Sequence, residues 1–414
     1  MSVRIGHGRV VLDVPVGTPL GGYAARAGTS TGILDPLEVH AVTISAGPRR
    51  FAWVVADLPA VNTDLAGPLL SRLAGSLRTC PELVWFSATH THSGPEVGCH
   101  PGGGRTPPEW TSPLLRTGER AAARAMIAEV PGQLTIHKGL IGDVGGQRSG
   151  PSPRADVPVT VLAARNRELV LGVLVVLPIH PTVLGADNLL VSADLAGAVR
   201  RAVAERLGGW AVVATGAAGD ISTRPHRREQ RPGELDRLGA LAAEQILALV
   251  RTPGTPVDLG RRPLAGARTW SFALPGRAGE PAPETGSIRE RLDAAHRAGD
   301  PVAVREAETA LQGAELAASA RIGDPRLVVS AVQLGELGMI GFGGEPYLAV
   351  ESALESEVDG PITLVGYTGG YLGYLPGAAA YETDVYEVNI SPVAAGGAEL
   401  AVSEAVRLLR ACSV

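Results

Sequence analysis

The sequence predicts an α/β protein whose mixed β-sheets are flanked by helices. Two observations carry this. Apolar runs of strand length alternate along the chain with segments whose apolar residues recur at helical spacing. The 414 residues are 45% hydrophobic and 19% charged, which suits a large buried core and excludes a disordered chain.

Taken in order, residues 51–57 (FAWVVAD) read as a buried strand, an apolar run rich in strand-favouring side chains. Residues 63–77 carry the apolar stripe of an amphipathic helix. A short strand follows at 83–87, an Ala-rich helix within 108–130, and strands at 134–138, 157–163 and 169–177. Residues 191–207 are helical, 211–215 a strand and 233–250 a helix. Pro, Gly and Arg gather at 252–263 and 275–286 and mark loops. The charged, Ala-rich stretch 284–323, broken at Gly299-Asp300-Pro301, reads as a helical hairpin inserted into a single domain spanning 1–414. It is either a solvated helix pair or a lid. Strands at 327–334 and 337–342, a helix near 345–354, a strand at 362–365 and a helix at 394–411 complete the chain.

Charge narrows the partners. The net charge is −5 and no basic block stands out, so neither nucleic acid nor an anionic membrane surface is expected as the main partner. No apolar run reaches the ~18 residues of a membrane span, so no integral membrane segment is expected. The N-terminus lacks the layout of a signal peptide, and the three cysteines suit a reducing compartment. The expected location is the cytoplasm, and the oligomeric state is left open.

Five segments could carry chemistry. Residues 87–95 (SATHTHSGP) run from a strand into His90 and His92, whose rings share one side if strand geometry persists. The pair is a metal site or a proton-transfer site. His180 closes the most apolar strand and precedes Ser192 and Asp194 at a helix start; it is a structural histidine or a second ligand. Residues 214–222 (ATGAAGDIS) bring Asp220 and Ser222 to the end of a strand, as a tight turn or as a ligand-approaching loop. Glu345 follows Gly343-Gly344 and is either a third ligand or a helix N-terminal acid. Residues 366–374 (GYTGGYLGY) place tyrosines among glycines, with Tyr386 behind them. No contiguous zinc or phosphate-loop motif is present, so a metal site has to be assembled from distant segments.

In this order the segments resemble the catalytic domain of the neutral/alkaline (non-lysosomal) ceramidases, a family of zinc amidases. The pieces are GGYA at 21–24, SATHTHSGP at 87–95, QRSG at 147–150, HPT at 180–182, SAD at 192–194, GDIS at 219–222, GGE at 343–345, the Tyr371 and Tyr374 pair, and Tyr386-Glu387. The resemblance implies zinc held by His90, His180, Glu345 and Tyr374, with His92 placed for proton transfer. It also implies Arg148 and Tyr386 at the substrate oxygen, with Ser222 in the active site. The implied activity is hydrolysis of a small-molecule N-acyl amide; an amide-forming acyltransferase on the same zinc is the alternative, and an inactive binding scaffold the alternative of another class. The chain departs from the family at QRSG, at Thr223-Arg224 after GDIS, and in the Ala-rich hairpin.

Overall fold

Two five-stranded sheets lie face to face in the computed structural model, which describes residues 3–148, 153–260, 264, 266–281, 283–383 and 385–412. The first runs Val84–Ala88, Arg49–Ala56, Leu37–Ala46, Val3–Leu12, Val130–Pro131, with only its first pair parallel. The second runs Trp210–Thr215, Leu169–Leu177, Asp156–Asn166, Gln133–Gly142, Thr255–Val257, again with only its first pair parallel. Their inner faces meet through Trp53, Trp85, Leu134 and Leu174. Helices Thr63–Leu77 and Pro108–Ile127 cover the outer face of the first sheet. Asp194–Leu207 and Pro232–Arg251 cover that of the second. Strands covered on both faces read in sequence as unbroken apolar runs rather than as alternation.

A four-stranded sheet, Ala267–Ala273, Arg326–Leu334, Leu337–Phe342 and Ile362–Val365, packs against helices Leu348–Glu357 and Gly397–Arg410. Its last two strands are parallel. The helix expected near 345 begins only at Leu348, because Glu345–Pro346 forms a short parallel bridge to Tyr374–Leu375. Proline disfavours a helical conformation in the residue before it, which keeps Glu345 extended. Helices Gly286–Ala298 and Pro301–Ala320 turn at Gly299, whose left-handed φ of 64° closes the first of them.

The parallel strands position the site. Val84–Ala88 leads to His90 and His92, Leu169–Leu177 to His180, Leu337–Phe342 to Glu345, and Ile362–Val365 to the tyrosine loop. Bridges between Ser87 and Thr368 and between His180 and Ser222 tie these exits together. Ligand sites form where strands of α/β sheets end at their carboxyl sides. Among the described residues, no helix is long and apolar enough to cross a membrane.

Candidate metal centre

Strand geometry does not persist through the histidine pair. The strand ends at Ala88, and His90 has a left-handed φ of 64°. The turn brings the rings together edge to face, with Nε2 of His92 3.1 Å from Nε2 of His90. His180 arrives from the second sheet and sets its Nε2 3.0 Å from that of His90.

Backbone carbonyls fix two of these rings. Nδ1 of His90 donates to the Pro59 carbonyl at 2.5 Å, and Nδ1 of His180 donates to the Ala218 carbonyl at 2.8 Å. A carbonyl only accepts, so in each neutral ring the proton sits on Nδ1 and Nε2 presents a lone pair. The two lone pairs oppose each other across 3.0 Å, an arrangement that a shared cation stabilises. An Oε2 atom of Glu345 lies 3.3 Å from both Nε2 atoms. His90, His92 and His180 form a buried group that could hold a metal ion. Imidazole nitrogens and a carboxylate are the donors a first-row divalent metal takes, and the residues fit one. His92 differs from its neighbours in that its buried Nδ1 has no partner.

The electrostatics agree with a cation-binding centre. Burial, then the Arg148 guanidinium and the competing His90 and His92 rings, hold His180 well below the usual imidazole range. Burial and His90 do the same to His92. Both rings are therefore neutral donors near neutral pH. Burial pushes the Glu345 carboxyl up, but His90, a hydrogen bond from Tyr371 and Arg148 together outweigh it and keep it ionised.

Tyrosines wall the carboxylate. The Tyr371 hydroxyl donates to Glu345 Oε1 at 2.5 Å, and the Tyr367 hydroxyl donates to Oε2 at 3.3 Å. Tyr367 also stacks on His90, with ring centroids 4.1 Å apart. Tyr374 stacks on His180 at 6.2 Å, and its hydroxyl accepts from Arg148 Nη2 at 3.3 Å. Arg148 donates as well to the Gly219 carbonyl at 2.7 Å and pairs by charge with Glu387 at 2.8 Å. Tyr386 meets the Tyr374 ring edge-on at 6.3 Å. Ser222 is buried beside His180 through the backbone bridge. All eight residues to which the resemblance gives a metal or catalytic role thus lie in one neighbourhood; Ser149 and Gly150 of the QRSG segment fall outside the described residues.

Sequence reasoning names several of the residues that hold the ligands in place, in GGYA, SAD and the tyrosine loop, but gives them no such role. Tyr367 is legible only as a member of a tyrosine-rich loop, and Tyr371 only as the partner of Tyr374 in the resemblance, with no role attached to either. Tyr23 packs edge-on against His92 at 4.8 Å, and a Cβ on the neighbouring Gly22 would come within 2.5 Å of the His92 ring. Asp194, left-handed at φ 49°, does not cap its helix simply: its carboxylate accepts from the amides of Val183, Leu184 and Leu195 at 2.9, 3.0 and 2.7 Å, clamping the loop after His180. Asp57, two residues before the Pro59 carbonyl, takes two hydrogen bonds from the buried Arg200 at 3.0 and 2.8 Å. No local pattern announces these long-range pairs.

No protein-family model matches the chain, and no curated protein matches it in sequence. Solved structures do. Neutral ceramidase from Pseudomonas aeruginosa superposes with a TM-score of 0.75 at 18% identity, over 99% of this chain and 74% of its own. A ceramidase complexed with C2 gives a TM-score of 0.75 at 17% identity, over 99% and 75%. The chain has the fold of the neutral ceramidases.

Proposed function

We propose that the protein is a zinc-dependent amidase that hydrolyses an N-acyl amide to an acid and an amine. His90, His180, Glu345 and Tyr374 would hold the metal, and His92, Arg148, Tyr386 and Ser222 would serve the substrate. One observation carries the reading: two carbonyl-anchored imidazoles aim their lone pairs at each other beside an ionised carboxylate. The ceramidase names of the structural neighbours supply the reaction class.

A bound zinc ion supplies Lewis acidity and brings the pKa of a water toward about 7. The chain's own residues do the rest. His92 is the one ring whose tautomer no carbonyl fixes, so it takes a proton from the attacking water and returns it to the leaving amine. Arg148 is held by Gly219 and Glu387 with a donor on the Tyr374 hydroxyl, which keeps positive charge and a phenol beside the developing oxyanion. Tyr386 adds a second phenol at the same wall. Tyr23, packed on His92, keeps bulk water off the proton carrier.

The test is metal analysis of the purified full chain together with turnover of a panel of N-acyl amides. About one zinc per chain and chelator-sensitive release of amine are expected. Absence of zinc affinity, or no cleavage of any amide by zinc-loaded protein, would overturn the reading.

A further inference from the structure

One rim of the centre is cationic. Arg26 lies over the Tyr23 ring, its guanidinium carbon 5.0 Å from the centroid, and donates to the carbonyls of Gly21 and Gly185 at 2.8 and 3.5 Å. Arg227 donates to the Thr182 carbonyl at 2.6 Å. Arg148 is balanced by Glu387. Arg224 stands apart from these. It follows Ser222 by two residues, and its backbone amide donates to Ser222 Oγ at 3.3 Å. Its side chain is exposed, and among the described residues its guanidinium has no hydrogen-bond or ion-pair partner.

Position gives that orphan charge its meaning. Arg224 is within electrostatic reach of Tyr23, Arg148, Arg227 and Glu387, and it in turn acts on Tyr386. Tyr23 touches His92, and Tyr386 touches Tyr374. Geometry places Arg224 as well: its amide is bonded to Ser222, which is bridged to His180, so Arg224 leaves the chain at the edge of the centre. Although exposed, it is crowded: partial burial, then Arg148, lowers its pKa to about 10, which leaves it positive at neutral pH. The carboxylates nearby are already engaged, Glu387 by Arg148 and Asp194 by three backbone amides. A partly desolvated guanidinium next to two further arginines is unfavourable by itself and is stabilised by an anion. Its planar fork suits a carboxylate, taken by two parallel hydrogen bonds.

We propose that the substrate amide carries a carboxylate a few bonds from its scissile bond, and that Arg224 receives it as the specificity-determining residue. The proposal rests on the amidase reading of the metal centre. Two substrate types share this chemistry: an N-acyl amino acid, with the carboxylate on the amine side, and a dicarboxylic acid monoamide, with it on the acyl side.

The experiment measures binding and turnover separately on the zinc-loaded full chain. N-octanoylglycine is compared with its neutral carboxamide, and glutaric acid mono-octylamide with its neutral carboxamide, by titration calorimetry. In the wild type one acid is expected to bind about tenfold to hundredfold tighter than its neutral partner, the range of a hydrogen bond between charged groups. Which acid shows the gap tells which side of the amide carries the charge. Arg224→Gln should abolish the gap, and Arg224→Lys should restore part of it. Equal binding of acid and neutral partner in both pairs, or a gap that survives Arg224→Gln, overturns the proposal. Turnover of the neutral amides by the wild type judges the amidase reading by itself: an Arg224-dependent gap without any cleavage keeps the anion site and removes the amidase.

Discussion

Nε2 of His90 and Nε2 of His180 face each other at 3.0 Å while each ring's Nδ1 proton is committed to a backbone carbonyl. Neither ring can rotate its donor into the gap without breaking a buried hydrogen bond. Removing one ring leaves the other with no partner ring across the gap. His90→Ala and His180→Ala are therefore each expected to lose most of the bound metal and the activity, checked by elemental analysis after gel filtration. Full metal occupancy in both variants would remove the assignment.

His92 should separate from them. Its Nε2 touches the cluster, but its Nδ1 is unanchored. His92→Ala should keep the metal and lose about 10²–10⁴ in kcat, the usual worth of a general acid/base. Metal content and single-turnover rates measured on one preparation decide it; loss of metal would make His92 a ligand.

Gly22 presses on that same ring. A Cβ there would lie 2.5 Å from His92 Cγ and 2.7 Å from its Cα, and the backbone sits at φ 96°. Gly22→Ala should cost about 1–3 kcal/mol of stability through overpacking and backbone strain. It should also lower kcat more than metal content. Thermal melts alongside kinetics test this, and a variant with unchanged Tm and kcat contradicts it.

Away from the centre, Arg200 is buried against Asp57 at 2.8 Å and Glu38 at 3.1 Å. Arg200→Met leaves the buried Asp57 without its cation, while Glu38 keeps Arg9. A loss of about 3–5 kcal/mol is expected by denaturant titration. Metal affinity should fall with it, because Asp57 anchors the segment that carries the Pro59 carbonyl.

Glu351 predicts a pH dependence. Burial raises its carboxyl from 4.5 to about 7 in the folded chain. The folded state then binds the extra proton between those two values, so stability falls as pH rises through that window and levels off above about 7. Glu351→Gln should flatten this slope and raise Tm above pH 7 relative to wild type, by an amount corresponding to at most about 3 kcal/mol. Parallel melts from pH 4 to 8, each as a difference from wild type, check the sign; a steeper slope in the variant would contradict it.

The sequence showed the α/β class and most strand exits because those signals are local. An apolar run followed by a polar or glycine-rich turn marks where a parallel strand ends, and His90, His180 and Glu345 all stand just past such ends. Strands Val3–Leu12 and Leu37–Ala46 escaped notice because polar residues interrupt their runs. The structure shows why those residues are tolerated: His7 meets His40 at 3.0 Å, His40 meets Glu38 at 3.0 Å, and Arg200 closes the chain from a distant helix. A buried polar network is satisfied only in three dimensions, so in one dimension it reads as an interruption. The same applies to the centre. Residue types in order suggested ligands, whereas the Pro59 and Ala218 carbonyls that fix their tautomers are backbone atoms with no sequence signature.

The left-handed backbone at His90 bears on how such a chain would change over generations. Among the described residues, His90, Asp194 and Tyr367 are three of the six non-glycine positions with positive φ, and all three adjoin the centre. An L-residue other than glycine gives up about 1–2 kcal/mol in that conformation, so the histidine persists there against the preference of the fold. Both His90→Gly and His90→Ala lose the buried hydrogen bond to Pro59 and the Tyr367 stack, but His90→Gly should consequently be the less destabilised of the two, by about 1–2 kcal/mol of relieved backbone strain. Copies of this fold released from catalysis would be expected to drift toward glycine or asparagine at that single position first, leaving a readable trace of lost chemistry in an otherwise intact architecture.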